Sequence, residues 1–88
     1  MVDRPLWPAH GRWYAHLASD RSYEELHGFA RELGLDGRLF HADHYDIPAD
    51  RVADAVAMGA EQVDPRVLAA RLRASGLRRR RSAGSGTA

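Results

Sequence analysis

An α/β fold, in which three helices lie on a short parallel sheet of about three strands in two or three layers, is what this sequence predicts. Three observations carry that expectation. The chain has 88 residues, enough for one hydrophobic core and too few for a second domain. Three segments show helical apolar spacing between recognisable start and stop residues, and short runs of strand character separate them. An order of strand, helix, strand, helix, strand, helix favours parallel pairing through right-handed crossovers.

The first strand is expected at about 1–4, starting from Val2. The rest of 1–21 contains Pro5, Pro8 and Gly11 without a sustained period, and it reads as an extended loop. Its content is unusual, because Trp7, His10, Arg12, Trp13, Tyr14 and His16 gather much of the aromatic surface into one segment. Trp7, Trp13 and Leu17 are expected to fold over the core as a lid, adding buried area that a small domain needs. The functional alternative is an aromatic and cationic platform whose exposed members are Arg12, Tyr14 and His16.

Ser22 and Glu25 form a capping box that opens a helix over about 23–33, with Tyr23, Leu26, Ala30 and Leu33 on one face and Gly34 as its stop. His27 sits at the border of that apolar stripe, where a packed histidine is the expected outcome. Leu35 to Arg38 is a turn. A second strand covers about 44–47 and ends at Pro48, which also suits the first turn of a helix from Ala49 to Met58. Residues 61–63 are a third short strand. Asp64-Pro65 then starts the last helix, which runs to Ser75 before Gly76.

There are no cysteines, so disulfides and thiolate zinc sites are excluded, and a metal would have to be held by His and carboxylate. The apolar runs are short and Asp3 and Pro5 interrupt the N-terminus, so the chain is expected to be soluble and cytoplasmic, with no membrane association. Residues 1–77 form the compact domain and hold nine Arg against twelve acids, a balance of −3. Residues 78–88 form an Arg-rich tail that is expected to be disordered. Through Arg78, Arg79, Arg80 and Arg81 it offers weak, non-specific, salt-sensitive contact with nucleic acid. The exclusive use of Arg over Lys reads as codon usage.

The stretch His41-Ala42-Asp43-His44-Tyr45-Asp46 is the densest run of proton-carrying and metal-binding groups. On a strand, His44 and Asp46 project to one face and Tyr45 and Ile47 to the other, where they join the core. An Asp beside a His fixes its tautomer and leaves the second ring nitrogen to act as acid, base or ligand. His44, Asp46 and His16 are therefore the candidate catalytic residues, and Arg12, Asp20 and Trp7 the candidate ligand-binding ones. For a divalent metal the candidate ligands are His44, Asp46, His41 and Asp43, a set of nitrogen and oxygen donors that suits Mn, Fe, Ni, Zn or Mg.

Several separated blocks carry a resemblance: Leu6 to Arg12, His16 to Asp20, Glu25 to Ala30, His44 to Pro48 and Ala57 to Ala60. Together they resemble a small bacterial family catalogued as domain of unknown function number 4031, over about residues 1–77. The resemblance implies that His16, Ser19, Asp20, His44 and Asp46 occupy the family's polar motif positions. It also implies that the first strand, which in that family is apolar and ends in one or two Asp, is a shortened one. It supplies no activity.

The favoured reading is a His/Asp site around the six-residue motif for a divalent metal, a phosphate-type ligand or acid/base chemistry. One alternative is a nucleic-acid-associated module using the Arg tail and the aromatic loop. The other is a non-catalytic interaction protein in which Trp7, Trp13 or Tyr14 forms the partner surface. Sequence does not decide whether the protein is an enzyme.

Overall fold

The computed structural model describes residues 1–9 and 11–78. His10, Arg79 to Arg81 and the rest of the tail lie outside the described residues, and the disorder expected there lies outside them too.

Strands β1 (Trp7–Ala9), β2 (Arg12–Leu17), β3 (Phe40–His41) and β4 (His44–Pro48) build one sheet in the order β1-β2-β4-β3. Every pairing in it is antiparallel. This corrects the expected parallel sheet of three strands, and two turns explain the difference. Between Ala9 and Arg12 the chain reverses, with Gly11 at φ 74°, so the expected loop is a hairpin and Pro8 sits on an edge strand, where its missing N–H costs no ladder bond. The second reversal falls between His41 and His44 and turns the chain round just before β4 reaches β2. A tight reversal joins only antiparallel neighbours.

The other two expected strands shrink to bridges. Val2 pairs antiparallel with Leu17 and parallel with Gln62, and its amide and carbonyl bond Glu61 O and Val63 N at 2.9 and 2.8 Å. Residues 1–4 and 61–63 thus clamp the end of β2 without extending the sheet.

The three helices follow local chemistry. In α1 (Tyr23–Leu33) the Ser22 side chain accepts from Glu25 N, and Gly34 closes the helix at φ 84°. The capping box is not reciprocal, because the Glu25 carboxylate accepts from Ser19 Oγ at 2.5 Å. Before α2 (Val52–Ala57) comes one 3₁₀ turn, Ala49–Arg51. Asp64 caps α3 (Pro65–Ser75), with Pro65 in its first turn.

Alternation along β2 and β4 sets the layers. Ala15, Leu17, Tyr45 and Ile47 bury one face of the sheet against Leu26, Ala30 and Leu33 of α1 and Val52 and Ala55 of α2. Leu68 and Leu72 of α3 form a second, smaller cluster with Ala18. They line a cleft with His16 and His44, on the opposite face. The Trp lid is a further correction: Trp7 and Trp13 remain 44% and 55% exposed. Trp7 pairs with Tyr14 and lies on the His16 side of the sheet, against the cleft under α3, and Trp13 stands at the outer end of β2 beside the edge strand.

Candidate functional site

The register of two strands assembles the site. His16 on β2 stands directly across from Asp46 on β4, and His44, two residues before Asp46, points to the same face. These are the residues left when Ala15, Leu17, Tyr45 and Ile47 turn to the core. The imidazoles of His16 and His44 meet edge to face with centroids 4.8 Å apart. His16, His44 and Asp46 each offer a ligand atom, and those atoms lie within 4.8 Å of one another. His44 Nε2 is 3.2 Å from Asp46 Oδ1, a spacing that either a proton or a cation bridges. Tetrahedral coordination with bonds of 2.0–2.2 Å needs ligand atoms about 3.4 Å apart. The widest spacing must therefore close by about 1.4 Å on binding, within the reach of a side-chain rotation.

Both rings are held from behind. Asp3 is fully buried, and its two oxygens take the His16 backbone N–H at 2.6 Å and His16 Nδ1 at 2.8 Å. Asp43, also buried, takes His44 Nδ1 at 2.8 Å. An ionised carboxylate only accepts, so each Nδ1 carries a proton; His16 Nε2 is left with a lone pair, whereas His44 Nε2 also faces a carboxylate, that of Asp46, and a cation bound there takes the place of the proton between them. This carboxylate–histidine arrangement is the one that orients imidazole ligands in metal sites.

The turn that delivers Asp43 is strained. Asp43 N–H donates to His41 O at 2.6 Å across Ala42, whose φ is 61°. That is the γ-turn of positive φ, a rare conformation for a residue with a side chain. It turns the Asp43 carboxylate inward, beside His44.

The remaining sequence candidates fall in different places. Asp43 backs a ligand and is not grouped with the converging set. His41, opposite His44 on β3, is exposed, with its ring centroid 5.8 Å from that of His44. Asp20 lies elsewhere: it pairs with Arg71 at 2.9 Å and lines a separate cleft with Ser19. Arg71 also holds Glu61 at 2.9 Å, and these hydrogen bonds, Glu61's first, raise its pKa further above the ordinary value. Arg12 is spent on Asp50 at 3.2 Å on the outer surface. Trp7 does join, its ring 4.9 Å from that of His16. His27 bonds the buried Tyr45 hydroxyl at 2.7 Å, on the core side, as a packed histidine.

Asp3 is the residue that sequence reasoning missed. A signal existed: in a strand beginning at Val2, a buried Val2 sends Asp3 to the opposite face, the face of His16 and His44.

Under α3, His16 and His44 open into a cleft of about 320 Å³, while Asp46 lines a neighbouring pocket with Tyr14 and His41. Asp3, His16 and His44 form one end of it, Trp7, Leu68 and Leu72 are apolar walls, and Arg66 and Arg78 bring positive charge. Arg78 Nε is 3.8 Å from Asp43 Oδ2, so the first Arg of the tail faces the acidic end of this cleft. Among the described residues, no helix is long and apolar enough to cross a membrane.

The family described as a protein of unknown function (DUF4031) matches residues 1–75. No curated protein and no solved structure matches the chain.

Proposed function

The chain belongs to the DUF4031 family, a membership that brings no activity with it, and from the geometry of its own residues we propose that it is a divalent-metal-binding domain. His16 Nε2, His44 Nε2 and an Asp46 oxygen are the protein ligands. The observation that carries this reading is the convergence of those three residues, with both Nδ1 atoms occupied by buried carboxylates. A metal takes its imidazole ligands in the neutral form, and with both rings so the carboxylates of Asp3, Asp43 and Asp46 favour a dication. Nitrogen and oxygen donors without sulfur suit Zn, Ni, Fe(II) or Mn and disfavour Cu(I). Three protein ligands leave coordination positions facing the cleft, as in catalytic metal sites and unlike closed structural ones. A bound cation there supplies Lewis acidity to an oxygen of whatever the cleft admits.

Calorimetric titration with Zn, Ni, Mn and Fe(II) tests the assignment. One equivalent of at least one of them binds and raises the melting temperature, and His16→Ala, His44→Ala and Asp46→Ala each abolish the rise. Absence of binding by all four cations, or wild-type binding by the three variants, refutes it.

A further inference from the structure

Given the metal site of the preceding section, on which this inference rests, we propose that the cleft takes a small organic oxyanion: a carboxylate or phosphate monoester carried on a planar apolar body. Its charged head lies between the cation and Arg66, and its body lies against Trp7.

Three features lead there. At about 320 Å³ the cleft stands at the small end of ligand pockets, where a single ring and its substituent fit. Its walls are mixed in character, since His16 and His44 line it together with the apolar surface of Trp7 and Ala69. The Trp7 ring is 44% exposed although large, which leaves an aromatic surface for a planar partner next to the candidate metal.

Charge supplies the third feature. Arg4, Arg12, Arg38, Arg51 and Arg71 each hold a carboxylate within 3.2 Å, whereas among the described residues Arg31, Arg66 and Arg73 hold none, and of these three Arg66 lines the cleft. Its backbone N–H bonds Asp64 in the α3 cap, which fixes the residue at the cleft while the side chain stays available. With a dication bound, the carboxylates of Asp3, Asp43 and Asp46 are outweighed by the cation, Arg66 and Arg78 together. Over the metal site and the cleft together these groups then sum to one positive charge, and an anionic head neutralises it. Guanidinium and oxyanion also match in hydrogen-bond geometry.

The test uses the full chain loaded with Co(II), whose visible absorption reports coordination, and two probes, phenyl phosphate and benzoate. At least one of them changes the cobalt spectrum and binds at least about tenfold more tightly than inorganic phosphate or benzyl alcohol. Arg66→Ala weakens that probe by about tenfold, the loss of one exposed charge-assisted contact, without changing the affinity for Co(II). Cobalt that binds but responds to neither probe overturns this inference and leaves the metal site standing. Equal binding of inorganic phosphate, or an Arg66→Ala variant with unchanged affinity, also overturns it. Failure of Co(II) to bind removes both proposals.

Discussion

Asp3→Asn separates the orientation of a metal ligand from the folding of the domain. Asparagine keeps the shape of the side chain, and its carbonyl oxygen still accepts the His16 N–H that Asp3 takes at 2.6 Å. The change falls on the other oxygen, which faces His16 Nδ1 at 2.8 Å. An amide nitrogen there donates, so Nδ1 must accept and the ring proton moves to Nε2, blocking the lone pair that binds the cation. Loss of such an orienting carboxylate weakens metal affinity about 10–100-fold. At a free cation concentration about 100 times the wild-type Kd, binding stabilises the wild type by about 2.7 kcal/mol, and the variant by about 1.4 to 0.4 kcal/mol. For a domain of this size each kcal/mol moves Tm by about 4–8 °C. The metal-induced rise is then about 11–22 °C in the wild type and about 2–11 °C in Asp3→Asn. Without metal the variant loses a charge-assisted hydrogen bond of about 1.5–3 kcal/mol and also sheds a buried charge, so the two effects oppose. Differential scanning calorimetry with and without Zn measures both. A folded Asp3→Asn variant with the full wild-type rise refutes the account of Asp3.

Three further substitutions probe the parts of the account separately. His41→Ala leaves metal affinity unchanged in a calorimetric titration, because His41 is exposed and outside the converging set; a lost site returns it to the ligands. Ala42→Gly relieves a φ of 61°, worth about 1–2 kcal/mol, against about 0.5–1 kcal/mol of added chain entropy. Urea unfolding is expected to show a gain of about 0.5–1 kcal/mol, and a loss means the turn is not strained. Leu72→Ala, at a fully buried position of α3, costs about 2–5 kcal/mol; a change under about 1 kcal/mol contradicts the packing of α3 on this face.

What the sequence made legible was local. The caps of α1 and α3 depend on neighbouring residues alone, and Ser22, Gly34, Asp64 and Gly76 stand where their chemistry placed them. Period-two alternation sorted β4 correctly, with Tyr45 and Ile47 buried and His44 and Asp46 on the other face. Along β2 the same rule was masked, because aromatic residues occupy both faces at Trp13 and Tyr14, and Gly11 read as loop instead of hairpin turn. Strand direction was the costlier loss. β3 is only two residues long, Phe40–His41, too short for any periodic signal, yet its reversal into β4 makes the sheet antiparallel. His16 and Asp46 became cross-strand partners through that non-local register. Asp43 and Asp3 likewise gained their roles from a γ-turn and from the two bridges at Val2, and only the alternation after Val2 left a trace of this in the sequence.

Anomalous diffraction from a zinc-soaked crystal tests the central claim most directly. One ion is expected, about 2.0–2.1 Å from the Nε2 atoms of His16 and His44 and about 2.0–2.2 Å from an Asp46 oxygen, with Asp3 and Asp43 still bonded to the two Nδ1 atoms. An anomalous peak at His41 or His27 instead, or none between His16, His44 and Asp46, contradicts it.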